Sequence, residues 1–265
     1  FFPAFSLGWV ISNESFMDNL RNNGIISNLK LRASVGKVGN DGLGSTRFLY
    51  LDNIDLQYHT SHIPSLGNGG KIYERMVGNK NIHWEVAWKQ NYAVDLTLFD
   101  DLDLTFDYFI EDRSDILIER NTVPAISGLT SSQLPRVNMG EIKNKGYEIT
   151  LDYNTDITRD LNINFGGNFS YARNKVISAD EAVLSSDYAY RYRETGFSLG
   201  QNWGYIIDHT VDPEHGKDGS GFFNSKEDVI NSGLTYETGG GIPQPGDFIY
   251  KDLNGDHIIN EKDMA

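Results

Sequence analysis

Between positions 161 and 171 the apolar residues Leu161, Ile163, Phe165, Phe169 and Tyr171 alternate with Asn162, Asn164, Asn168 and Ser170. Alternation of period two places the first set on one face of a β-strand and the second on the other. The apolar face ends in aromatics, and the polar face carries amides rather than charges. The pattern recurs. Over 84–99, Val86, Trp88, Tyr92, Val94, Leu96 and Leu98 oppose Glu85, Lys89, Asn91, Asp95 and Thr97. Over 102–111, Leu102, Leu104, Phe106, Tyr108 and Ile110 oppose Asp103, Thr105, Asp107 and Glu111. Residues 4–12 and 28–36 read the same way, as do Tyr147, Ile149, Leu151 and Tyr153. A row of such strands suits a wall between hydrocarbon and water, which is a transmembrane β-barrel. A soluble antiparallel sheet shares the alternation and stays open at this point.

The connections sharpen the choice. Asp100 and Asp101 join two strands as a tight hairpin, and 154–160 is a short turn. Between these lie long segments at 37–78, 120–140 and 177–245, with one strand expected near 48–56 in the first. Short turns on one rim and long loops on the other are the habit of outer-membrane barrels. A short polar helix is expected over 14–22, with Asn13 as its N-cap.

Composition excludes several classes. No run of about 18 apolar residues exists, so no transmembrane helix is expected. The mean hydropathy of −0.43 does not weigh against a barrel, because only alternate strand residues face lipid. Cysteine is absent, which removes disulfides, thiolate metal sites and a cysteine nucleophile. The net charge of −14 argues against a nucleic-acid partner. From Ile177 onward 16 Asp and Glu face 6 Lys and Arg, which is −10 of that total. Residues 1–176 thus read as a partial barrel, and 177–265 as an acidic, Gly-rich extracellular loop region. The opening FFPAFSLGWVIS has neither the basic start nor the cleavage site of a signal peptide, so a targeting signal is expected outside these residues.

Five segments, in order, resemble the SusC/RagA family of TonB-dependent outer-membrane transporters of the Bacteroidetes. They are FPAFSLGWVIS, ISNLKLRASVGKVGN, the strand containing Trp84 and Glu85, NMGEIKNKGYEITLDY, and GDFIYKDLNGDHIINEKD. The fourth carries the family pattern on Asn138, Gly140, Glu141, Asn144, Lys145, Gly146 and Glu148. The resemblance implies an all-β fold, part of an antiparallel transmembrane barrel of about 22 strands in the outer membrane. It implies seven to nine wall strands here, with the plug domain and the final strands lying elsewhere. It also implies TonB-driven import of glycan oligosaccharides or peptides, a SusD-like surface lipoprotein as partner, contact with TonB through other parts of the protein, and outer-membrane lipid around the wall.

One local motif carries chemistry of its own. Asp252, Asn254, Asp256, Asn260 and Asp263 stand at positions 1, 3, 5, 9 and 12 of a calcium-type loop, with the carbonyl of Ile258 at position 7. Calcium needs six to eight hard oxygens, and this spacing wraps them around one centre. Ile259, at position 8, would pin the loop to a core. His257 replaces the usual Gly at position 6, and Asp263 is one methylene shorter than the usual Glu. An Asx-rich turn held by its own backbone bonds is the alternative.

Phe5, Trp9, Trp84, Trp88, Tyr92, Tyr108, Tyr147, Tyr153, Phe165 and Tyr171 are candidates for interfacial girdles. Loop aromatics such as Tyr50, Tyr58, Tyr73, Tyr188, Tyr190, Tyr192 and Trp203 are candidate sugar-stacking platforms. His59 and His62 lack a further ligand at metal spacing. No carboxylate pair, nucleophile elbow or phosphate loop stands out, so no enzyme activity is expected. The competing reading is a soluble secreted β-domain that binds carbohydrate or protein through calcium-ordered loops.

Overall fold

The alternating segments become six strands of one antiparallel sheet in the computed structural model of the chain. It describes residues 1–42, 47–58, 71–120, 122, 123, 126, 128, 130, 133–181, 189–237 and 241–265. The strands are β1 (Ala4–Val10), β2 (Ile26–Asn40), β5 (Glu85–Leu98), β6 (Leu102–Ile118), β7 (Val137–Thr158) and β8 (Leu161–Ser178). Their order is β1-β2-β5-β6-β7-β8, every neighbouring pair antiparallel, so the sheet is open at β1 and β8. Two shorter strands, β3 (Asn53–Tyr58) and β4 (Lys71–Met76), form a separate hairpin. Six wall strands are therefore found among the described residues, fewer than the seven to nine expected, because the candidate near 48–56 belongs to that loop hairpin.

Register turns the alternation into two continuous faces. Leu7, Ala33, Tyr92, Tyr108, Tyr147 and Tyr171 fall in one row across the sheet. Trp9, Leu31, Val94, Phe106, Ile149 and Phe169 form the next row, and Leu29, Leu96, Leu104 and Leu151 the one after. Many of these large side chains are exposed, Trp9, Tyr92, Phe169 and Tyr171 among them, and the rest are half-buried. The opposite face has rows such as Lys30, Asp95, Thr105, Thr150 and Asn168.

Two strands run further than their alternation suggests. β2 continues through Gly36 and Gly39 because these glycines admit close neighbours. The Phe2 ring lies directly over Gly39 and stacks on Trp84 at 5.6 Å. β6 continues past a register break between Arg113 and Ile116, where Asp115 adopts φ 57°, so the period is lost to inspection although the strand is not.

The turn between β5 and β6 centres on Phe99 and Asp100, one residue earlier than expected, both left-handed at φ 57° and 60°. That is the backbone of a type I′ hairpin turn. The β7–β8 turn is shorter than expected, since β7 persists to Thr158. The segment after β1 has two 3-10 turns and the five-residue helix α1 (Asp18–Asn22), with no side-chain cap. Asn13 lies inside the first 3-10 turn and does not cap a helix.

The chain divides into two compact units, Phe1–Ala182 with Thr195–Leu199, and Val183–Glu194 with Gly200–Ala265. The second unit is more than a set of solvated loops. Phe223, Val229, Leu234, Ile249 and Ile259 form a buried cluster, with Tyr205, Tyr236 and Tyr250 packed against it. Helix α2 (Lys226–Ser232) starts from a Ser225–Asp228 capping box and ends at left-handed Gly233. The two-residue strands β9 (Val211–Asp212) and β10 (Lys217–Asp218) pair antiparallel, while β11 (Thr235–Tyr236) and β12 (Ile258–Ile259) pair parallel.

Candidate functional site

Part of the charge on the polar face of the sheet is held in ion pairs. Arg32 on β2 donates through Nε and Nη2 to both oxygens of Asp95 on β5, each at 2.8 Å, and Asp107 on β6 lies 3.5 Å away. Ala93 stands between Arg32 and Asp107 in the register row and is buried, so its small side chain lets the guanidinium bridge three strands. Nearer the long loops, Glu111 pairs with Arg113 at 2.8 Å and Lys89 at 3.7 Å. Beside it, Asn144 and Asn174 line a shallow pocket with Ile142 and Leu199. Phe109 also faces this side and covers Gly146, its register partner on β7. The face offers amides, hydroxyls and charges, several of them paired, a surface suited to polar groups.

At the rim, two motif residues fix loops. Asn138 donates from Nδ2 to the carbonyls of His83 (2.8 Å) and Asp115 (2.7 Å), and its Oδ1 accepts from the His83 backbone N–H (3.1 Å). Glu85 accepts from Asn40 and from the backbone N–H of Leu117. Asn79 and the buried Gln133 tie the same loops through the carbonyls of Arg136 and Glu74. The His83 imidazole, held by the Asn81 carbonyl and by Asp115, titrates above its ordinary value.

In the second unit the side chains at five of the six calcium-type positions accept from backbone N–H groups within 252–263. Asp252 accepts from the N–H groups of Gly255 (2.7 Å) and His257 (2.8 Å), Asn254 from Asp256, and Asp256 from Ile258. Asn260 caps a last 3-10 turn by accepting from Lys262, and fully buried Asp263 accepts from Leu253 and Asn260. His257 takes the left-handed backbone, φ 62°, that position 6 demands. Ile259 is buried in the core cluster, as its place in the motif predicts. These side chains thus hold the loop as an Asx network, and no group of three or more Asp, Glu, His or Cys poised for a metal occurs among the described residues. The oxygens are of the hard type calcium prefers, and several accept only a single backbone donor.

Elsewhere in this unit, Lys217 pairs with buried Asp208 at 2.8 Å. Burial alone would raise the Asp208 carboxyl, but Lys217 and Thr210 outweigh it and hold the group below its ordinary range. Burial also pushes Tyr236 up to about 12, and its hydroxyl donates to the Phe248 carbonyl. Of the loop aromatics, Tyr190 and Trp203 pack edge-to-face at 4.9 Å rather than presenting open platforms. His59, His62 and Tyr188 lie outside the described residues. The row of tyrosines on the apolar face, the Asn138 clamp and the core of the second unit were not legible as units, because each joins residues far apart in sequence.

An antiparallel wall with an aromatic and aliphatic face, a polar opposite face, and connections alternating between tight and long defines the class of outer-membrane β-barrels. The family described as TonB dependent receptor-like, beta-barrel matches residues 1–256, and the chain belongs to that family. It is 30% identical to TonB-dependent receptor P39 of Formosa agariphila over 98% of this chain and 25% of the relative. It is 25% identical to TonB-dependent receptor SusC of Bacteroides thetaiotaomicron over 97% of this chain and 25% of the relative. The chain therefore spans about a quarter of the length of these curated relatives. In fold it is similar to a solved structure of the RagAB peptide transporter, at a TM-score of 0.58 and 22% identity, over 82% of this chain and 22% of that one.

Proposed function

We propose that this chain forms part of the wall of a TonB-dependent importer in the outer membrane. The observation that carries the reading is the pair of faces: apolar rows continuous across six strands, backed by a polar face of amides, hydroxyls and charges, several of them paired. Such a sheet fits lipid outside and a watery lumen inside. On this reading the ends of β2, β6 and β8 that lead into long connections are extracellular, and 177–265 is an extracellular region. The cargo class is glycan oligosaccharides or peptides, in keeping with relatives named SusC and RagAB. A SusD-like lipoprotein would cap the extracellular side, and TonB would engage other parts of the protein. No bond chemistry is assigned to any residue. Calcium at Asp252, Asn254, Asp256, Ile258, Asn260 and Asp263 would rigidify the loop, with Asp252 and Asp256 supplying the charge.

The experiment is deletion of the gene encoding the whole protein, with growth and uptake scored on single oligosaccharides and on defined peptides. Loss of uptake of one cargo class, restored by the intact gene, is the expected result. Unchanged uptake of every cargo would reject the import role. A soluble carbohydrate-binding domain would have to leave the apolar face against water, which the extent of that face disfavours.

A further inference from the structure

The lipid-facing side changes character abruptly on β7 and β8. Below the break, the outward residues of β8 run from Leu161 through Ile163, Phe165 and Phe169 to Tyr171. That stretch is roughly 33 Å along the strand, which a tilt of about 40° converts to the ~25 Å height of an outer-membrane apolar band. Tyr147 and Tyr171, ring centroids 5.6 Å apart, close it on the side of the long connections. The next outward row pairs Lys145 with Arg173, and the row beyond pairs Lys143 with Lys175. All four side chains are exposed. Neighbouring strands lie about 4.8 Å apart and alternate residues about 7 Å apart, so the four cations bracket an area the size of one phosphate group.

Two further observations separate this cluster from ordinary strand charges. On the opposite face, Arg32, Lys89 and Arg113 each face a carboxylate within 4 Å, and of its cations on the paired strands Lys30 alone makes no ion pair among the described residues. On the outward face, Lys143 alone has one, Asp112 at 3.4 Å, while Lys145, Arg173 and Lys175 make no ion pair among the described residues. Moreover, four cations concentrate here in a chain of net charge −14, at the level where lipid headgroups begin.

We infer that Lys143, Lys145, Arg173 and Lys175 form a binding site for the phosphate of a lipid headgroup in the outer leaflet. The apolar band beneath would hold the acyl chains, and the Tyr147–Tyr171 pair would sit at the boundary between chains and headgroup. The inference rests on the barrel reading above.

The test uses the whole barrel protein in neutral detergent, with monophosphoryl lipid A titrated into the micelles. The readout is the temperature at which the folded gel band is lost. Lipid should raise that temperature for the unaltered protein. Lys145→Gln with Arg173→Gln should weaken the half-saturating concentration roughly tenfold or more, since each cation near a charged lipid surface contributes separately. Lys145→Arg should respond as the unaltered protein. An equal response from the double variant, from the same lipid without phosphate, or from inorganic phosphate alone would overturn the site. Where no heat-sensitive folded band exists at all, the barrel reading fails first. A folded band with no charge-dependent response sinks only the lipid site.

Discussion

Arg32 and Asp107 stand on β2 and β6, two strands apart, yet their side chains approach to 3.5 Å over the buried Ala93 of β5. Arg32 simultaneously holds Asp95 in a two-point contact. One guanidinium thus fastens three strands on the polar face, and the alanine between them is what allows the span. Because Arg32 is more than a third exposed, the network is worth less than a buried one, on the order of 1 kcal/mol. Arg32→Ala should lower the unfolding midpoint of the barrel by that modest amount. Ala93→Leu should cost more, because it obstructs the bridge and overpacks a buried position, about 1–3 kcal/mol. Thermal unfolding followed by gel mobility measures both.

Phe109 lies across Gly146 where a side chain would otherwise stand, and a Cβ at Gly146 would also strike the backbone oxygen of Tyr171. Gly146→Ala should therefore destabilise the β7–β8 pairing by about 1–3 kcal/mol, more than the usual small cost of a strand substitution. Phe109→Ala combined with Gly146→Ala should recover only part of this, since the clash with Tyr171 remains. Unfolding midpoints of the two variants decide it.

Asn138 serves three backbone groups at the rim with one amide. Asn138→Ala strands those groups, and each loses a partner worth about 1 kcal/mol. The loop around His83 should become the first site of proteolysis, with the sheet intact. Asn138→Asp should behave similarly, because a carboxylate cannot donate to the carbonyls of His83 and Asp115. Limited proteolysis with mapping of the first cut is the measurement.

His257 occupies a left-handed backbone that glycine adopts freely. His257→Gly should stabilise the 252–263 loop by up to about 1 kcal/mol. Under the cation proposal, calcium should slow backbone hydrogen exchange at 252–263 in both forms, and Asp256→Asn should weaken that effect. If exchange is indifferent to calcium and chelator alike, the Asx network alone accounts for the loop.

The Asp208–Lys217 pair sets an acid limit on the second unit. Its carboxyl titrates below the ordinary value of about 3.9, so the stabilisation is complete above that pH and lost as pH falls through the lower folded value. Protection against hydrogen exchange across 205–222, taken relative to the intrinsic rate at each pH, should fall as the pH is lowered past about 4. Asp208→Asn should flatten that dependence while raising exchange at neutral pH.

The wall was legible because period two is written residue by residue: Tyr92, Tyr108, Tyr147 and Tyr171 could each be placed on the apolar side before their common row was visible. Strand ends were less legible. Asp115 breaks the alternation in β6, and Gly36 and Gly39 look like loop residues while serving as close-contact positions in β2. The second unit was hidden for another reason. Phe223, Ile249 and Ile259 meet through turns and two-residue strands, which have no period to read. Asn13 has the chemistry of a helix cap, but the backbone there begins with 3-10 turns that do not use it.

The account stands most directly on the whole protein's partition between membrane and aqueous fractions, with gel mobility compared before and after boiling. It predicts sedimentation with the outer membrane, release only by detergent, and a mobility shift on boiling as the closed wall unfolds. A protein that stays monomeric in detergent-free buffer, with no mobility shift, would contradict it.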